Sequence, residues 1–244
     1  MRQRNRWLHL LYQPWKWLVV VPLYLINTLI LTSTGIALSF LTGPRFIRII
    51  GVFWARISSA LIPVRVTVTG RKNIESGRSY VIVSNHKSYY DIPVIYGWLG
   101  MDFRWVAKRE LRRIPFFGLC MERMGHVFVD RSDTGAALAS INSKKEQISE
   151  GTSIFFFPEG TIFGTGEPGP FKKGAFRFAL DMKLPILPVT ISGTDEILPF
   201  ETWDLYPGRA RLAIHKAIET GGYGRDSLEE LVEISRKTVA SGLI

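Results

Sequence analysis

From Trp17 to Pro44 the chain carries no charged residue, and the stretch is mainly apolar. A helix rising about 1.5 Å per residue covers a bilayer core of about 30 Å over such a length. Arg2, Arg4 and Arg6 make a basic leader like that of a secretory signal, but the apolar run is too long for the usual signal core. Gly43-Pro44 then opens a second segment, Phe46 to Ile62. There Arg48 and Arg56 interrupt Ile49, Ile50, Val52, Phe53, Trp54, Ile57 and Leu61, the pattern of a helix lying in the membrane interface. Basic residues flank both sides, with Lys16 before and Arg45, Arg48, Arg56 and Arg65 after. A single span carries a one-sided Lys/Arg bias. Symmetric flanks predict a two-helix hairpin with both ends on the cytoplasmic face of the cell's inner membrane. Trp7, Trp15, Trp17 and Trp54 suit an interfacial aromatic belt. The competing reading is a buried hydrophobic hairpin in a soluble protein.

After Pro63 the texture changes, which divides the chain into a membrane-associating segment, 1–62, and an α/β body, 63–244. Arg65 to Thr69 alternates like a half-buried strand and Tyr80 to Ser84 reads as a buried one. Further strands are expected at Phe103–Ala107, His126–Val129, Ser153–Phe157, Ile186–Ile191 and Ala210–Ala217. Helices are expected near Ile92–Leu99, Pro115–Met124, Thr134–Glu150, Gly174–Met182 and Ser227–Ala240. Such alternation predicts a mixed, largely parallel sheet flanked by helices.

Lys and Arg number 31 against 21 Asp and Glu, a net charge of +10 that favours polyanionic partners. Charge alone does not choose between nucleic acid and anionic lipid. The sequence contains no recognised nucleic-acid motif, and the apolar N-terminus opposes that reading. The single Cys120 rules out an internal disulfide and a multi-cysteine zinc site. No metal-ligand cluster is expected.

Four segments carry candidate chemistry. In Ser84-Asn85-His86-Lys87-Ser88-Tyr89-Tyr90-Asp91, a strand end meets a helix start. A carboxylate folded back on an imidazole fixes its tautomer and stabilises the cation formed on proton capture; Asp91 as a mere helix cap is the plainer alternative. Phe157-Pro158-Glu159-Gly160-Thr161 places an acidic residue in a turn at another strand's carboxyl end, where ligands gather in open α/β sheets. Gly125 to Arg131 ends a strand in Asp130-Arg131, and an Arg there can hold a phosphate bidentately. Phe171 to Arg177 sets Lys172, Lys173 and Arg177 at a helix entrance, a position that also favours anions.

In this order and spacing, with Lys108-Arg109-Glu110-Leu111, Ile114 to Gly118 and Leu187-Pro188-Val189 between or after them, the segments resemble the glycerophospholipid acyltransferase family, which includes bacterial 1-acylglycerol-3-phosphate acyltransferases. The resemblance covers about Ser84 to Ile191. It implies that His86 is a general base oriented by Asp91, and that the acceptor hydroxyl attacks an acyl thioester directly. Backbone N–H groups or Lys108 would then meet the oxyanion. It further implies that Arg131 and Glu159, with the adjoining Gly160 and Thr161, bind the phosphate and glycerol of a lysophospholipid, Lys172 and Lys173 adding charge. No cofactor is implied beyond the co-substrate, acyl-CoA or acyl carrier protein. The family commonly has Arg directly after the Thr of this turn, where this chain has Ile162. The same motifs could serve another lyso-lipid acceptor, such as one with a larger headgroup or a lyso-ornithine lipid. A non-catalytic membrane protein that binds lipid or acyl carrier is the alternative from a different class.

Overall fold

A computed structural model of the chain describes residues 6–42, 44–130, 140–141, 148, 151–163 and 166–243. The chain enters through α1 (Arg6–Trp15), a π-helical turn (Lys16–Val20) and α2 (Val21–Ser39), followed by α3 (Pro44–Leu61). The π-helical turn ends two residues before Pro22, which has no N–H to return to the carbonyl of Leu18. Leu10–Ser39 is the one helix among the described residues long and apolar enough to cross a membrane, so only the first expected helix meets that test. α3 packs along α2. Asn27 Nδ2 donates to Trp54 O at 3.3 Å and Ser58 Oγ at 3.0 Å, and Trp54 Nε1 donates to Thr28 Oγ1 at 3.0 Å. Leu25, Leu29, Ile30, Ile49, Phe53 and Ile57 remain exposed on the pair.

Three cations read as membrane flanks turn toward the body instead. Lys16 is 2% exposed; its Nζ donates to Trp203 O at 3.0 Å and lies 3.5 Å from Asp204 Oδ1. Arg56 Nε donates to Gly97 O at 3.2 Å, and Arg48 Nε lies 3.8 Å from Asp102 Oδ1. A buried ammonium needs a paired partner, and the chain supplies one from a loop far along the sequence.

The body is a seven-stranded sheet in the order β1-β7-β6-β2-β5-β3-β4, built from β1 (Val64–Thr69), β2 (Val81–Ser84), β3 (Phe103–Lys108), β4 (Val127–Val129), β5 (Ser153–Phe156), β6 (Ile186–Ser192) and β7 (Gly208–Ile214). Strands β6, β2, β5, β3 and β4 run parallel; β7 is antiparallel to β6 and pairs in parallel with β1. β2, β5 and β6 are buried along their whole length and are apolar on both faces, as parallel strands covered on both sides must be. Alternate residues feed two cores. Tyr80, Ile82 and Phe155 join α4 (Asp91–Trp98) through Val94 and Ile95. Val81, Val83, Ile154 and Phe156 join α6 (Gly174–Met182) and α8 (Leu228–Ser241) through Phe176, Ala179, Leu231 and Val239.

α5 (Phe117–Arg123) and a short α7 (Thr194–Ile197) complete the helices named here. Strand and helix bounds fall within a few residues of those expected. β7 is shifted toward the N-terminus and is the strand that makes the sheet mixed. The helix expected over 134–150 lies largely outside the described residues.

Candidate active site

The site is built at the carboxyl ends of the adjacent parallel strands β2 and β5. Where β2 ends, the amide of Asn85 takes the place of a ladder pair: Nδ2 donates to Ile191 O at 2.8 Å and Oδ1 accepts from Ile191 N–H at 2.9 Å. The next residue, His86, therefore leaves the sheet at a fixed point. Asp91 opens α4 and folds back over the intervening loop. Its Oδ2 accepts from Lys87 N–H at 2.8 Å and Ser88 N–H at 3.1 Å, and lies 2.8 Å from His86 Nδ1. An ionised carboxylate only accepts, so Nδ1 carries the proton and Nε2 presents the lone pair. Asp91 is fully buried, whereas the His86 side chain keeps 12% exposure. Asp91 Oδ1 is buried without a hydrogen-bond partner among the described residues. The loop is held from below by Ser88, whose Oγ donates to Leu198 O at 2.6 Å and accepts from Tyr90 N–H at 3.0 Å.

The second wall comes from β5. Phe157 lies flat on the His86 ring, with centroids 3.8 Å apart and planes within 8°. Gly160 sits at φ +76°, in the left-handed region that favours glycine, and its N–H closes the turn on Phe157 O at 3.0 Å. A Cβ on Gly160 would lie 2.8 Å from Lys172 Nζ, so the bare glycine leaves room for that side chain to cross the turn. Glu159 is 3% exposed; its Oε1 accepts from His86 N–H at 2.8 Å and its Oε2 from Gly169 N–H at 3.0 Å. Burial pushes the Glu159 carboxyl above its usual range, against the pull of those two N–H groups.

The sequence-predicted residues are thus only partly gathered. His86, Asp91, Glu159, Gly160 and Lys172 meet at one place. Thr161 lies next in the same turn and is exposed. Lys108 ends β3 on the same edge of the sheet and is more than half exposed, 3.3 Å from Glu110 Oε1. Lys173 is paired with Glu229 at the start of α8. Arg131 lies outside the described residues. Asn85, Phe157 and the N–H of Phe163, which donates to His86 O at 3.0 Å, were not singled out by sequence. An Asn beside a His at a strand end is the one signal that pointed to the first of them.

Two other groups that chemistry could use are committed elsewhere. His126 Nδ1 accepts from Trp105 N–H at 3.1 Å and Nε2 meets Tyr96 Oη. Burial, with Arg104 nearby, drives its pKa down to about 3, so it stays neutral. Burial pushes the Cys120 thiol up to about 11, which leaves it a poor nucleophile. Among the described residues no group of His, Cys, Asp and Glu could hold a metal.

Residues 65–192 match the family model described as Acyltransferase. This chain belongs to the acyltransferase family. Among relatives, it is 37% identical over 177 residues to a chloroplastic 1-acyl-sn-glycerol-3-phosphate acyltransferase of Brassica napus, covering 71% of this chain and 51% of that one. The present chain thus spans about half the length of that relative. It is 29% identical over 183 residues to the 1-acyl-sn-glycerol-3-phosphate acyltransferase of Pseudomonas aeruginosa, covering 73% and 70%. The crystal structure of the 1-acyl-sn-glycerophosphate acyltransferase PlsC from Thermotoga maritima superposes with a TM-score of 0.80 at 28% identity, over 94% of this chain and 95% of that one. The mixed, mostly parallel sheet flanked by helices is therefore the fold of this acyltransferase family member.

Proposed function

We propose that the protein transfers a fatty acyl group from a thioester to the free hydroxyl of 1-acylglycerol-3-phosphate, giving phosphatidic acid. The observation that carries this reading is the His86 imidazole, held by a buried Asp91 through Nδ1 with Nε2 left to act. Nε2 takes the acceptor's hydroxyl proton as that oxygen forms its bond to the acyl carbon. The tetrahedral oxyanion is met by cations at this edge, Lys108 or Lys172, or by backbone N–H groups. The C–S bond then breaks and the leaving thiolate takes the proton from the imidazolium. Asp91 stabilises that imidazolium throughout. No protein nucleophile or metal is needed in this scheme. Acceptor phosphate falls to Arg131 and the Lys172–Lys173 pair, and the donor is acyl-CoA or acyl carrier protein.

The first 62 residues serve in this reading as the membrane anchor of the 63–244 body, with α2 and α3 as the hairpin and the site open to the cytoplasmic face. The apolar length of Leu10–Ser39 and the exposed Ile49, Phe53 and Ile57 support it. Ile162 favours a second reading of the acceptor, because a cation common in the family is replaced by an apolar side chain beside the turn. A panel of lyso-acceptors, each paired with acyl-CoA and with acyl carrier protein, on protein in lipid or detergent decides between them. Thiol release dependent on lysophosphatidic acid is the expected outcome. Release only with a larger-headgroup acceptor would replace the substrate, and none with any acceptor would overturn acyl transfer.

A further inference from the structure

The turn after β5 holds His86 by three separate handles. Phe157 stacks on the ring at 3.8 Å, Glu159 accepts the His86 N–H at 2.8 Å, and the Phe163 N–H donates to His86 O at 3.0 Å. Both backbone groups of His86 are therefore taken by one segment, and its side chain lies on the same segment. Both carboxylate oxygens of Glu159 are already engaged by backbone N–H groups, Oε1 by His86 and Oε2 by Gly169. At 3% exposure it also lacks the access that a headgroup ligand requires.

We infer that Glu159 is a positioning residue: its carboxylate ties the His86 backbone to the 159–169 loop and so aims the imidazole, rather than binding the acceptor's phosphate or glycerol. This rests on the reading of His86 as the general base. The residue type follows from the task. A carboxylate accepts two N–H bonds at once, and each is charge-assisted. A glutamine of the same shape offers one carbonyl oxygen and one NH2 group, so one of the two backbone N–H groups would face another donor. Aspartate is a methylene shorter and spans only one of them. With either change one of the two ties is lost and the link between the His86 peptide and Gly169 is broken, while Asp91 still pulls on Nδ1 and Phe157 still backs the ring. The imidazole then sits off its productive position, and misplacement by about 1 Å costs roughly a hundredfold in rate.

The test is a full kinetic comparison of Glu159→Gln and Glu159→Asp on the full-length protein, with lysophosphatidic acid and acyl-CoA as probes. A positioning role lowers kcat by about ten- to a hundredfold and leaves the acceptor KM within about twofold. In a His86→Ala background, adding Glu159→Gln then changes the residual rate little, because both act through one group. An acceptor KM raised about tenfold or more with kcat retained would instead make Glu159 a substrate ligand and overturn the inference. Amide hydrogen exchange separates this from failure of the acyl-transfer reading. Even if no acceptor is turned over, at least one of the His86 and Gly169 amides should exchange faster in each variant, with α4 unchanged; unchanged exchange at both amides would equally overturn the inference.

Discussion

At the scale of single residues, four side chains carry separable predictions. His86→Ala should lower transfer by about 10²–10⁴ while the protein stays folded, because among the described residues Nε2 of His86 is the only base placed at this strand end. Asp91→Asn should also cripple turnover, since an amide cannot stabilise an imidazolium, and circular dichroism with thiol-release assays checks both. Ile162→Arg tests the acceptor: with lysophosphatidic acid as natural substrate it should lower the acceptor KM, and with a larger headgroup it should be neutral or obstructive. His126 predicts pH-dependent stability. Its folded-state pKa of about 3 lies below the usual 6.5, so the unfolded chain binds a proton that the folded one does not. The stability that neutral His126 confers is complete above about pH 6.5 and is lost progressively as the pH falls toward 3. Melting temperatures should therefore fall through that window in the wild type and less steeply in His126→Gln. The His86–Asp91 spacing was legible because it spans a single loop. The partner of Glu159 was not, because Gly169 N–H and His86 N–H meet it only once β2 and β5 lie side by side.

At the scale of elements, the strands and the helix at Gly174–Met182 were legible from period and length, since each carries its apolar pattern within one continuous stretch of sequence. Two features escaped for a physical reason. The direction of β7 is set by its choice of neighbour, and Val189↔Ile214 is a pairing between remote segments. Lys16 looks like a membrane flank by its neighbours in sequence but pairs with Trp203 O and Asp204. Lys16→Met should release that loop and weaken the register between the N-terminal helix and the body. Protease accessibility near Asp204 should rise, while an exposed ion pair such as Arg112–Glu122 should contribute little to stability when mutated. Removal of residues 1–62 should leave the body insoluble or unbound to membranes. A high-salt wash of the full-length protein should not release it, because salt screens charge and leaves apolar burial intact. Quantitative release by salt would count against insertion of the helices.

At the scale of the whole molecule, the site depends on five parallel strands whose carboxyl ends share one edge, closed on the far side by β7 and β1. A chain ending at Pro207 would lack β7 and leave β1 without the partner that joins it to the sheet. Limited proteolysis should then cut near Val64–Thr69, which the full-length protein protects. The same pairing governs the order of assembly during synthesis. β1 leaves the ribosome early, yet its residue Val64 must wait for Gly208. Lys16 waits longer still for Asp204, so an early-made charge is sheltered only by a late-made loop. For most of translation the nascent chain therefore carries an unmatched strand edge and an unshielded ammonium beside its longest apolar helix. A binding surface already at hand, whether bilayer or chaperone, has the whole of that interval in which to act.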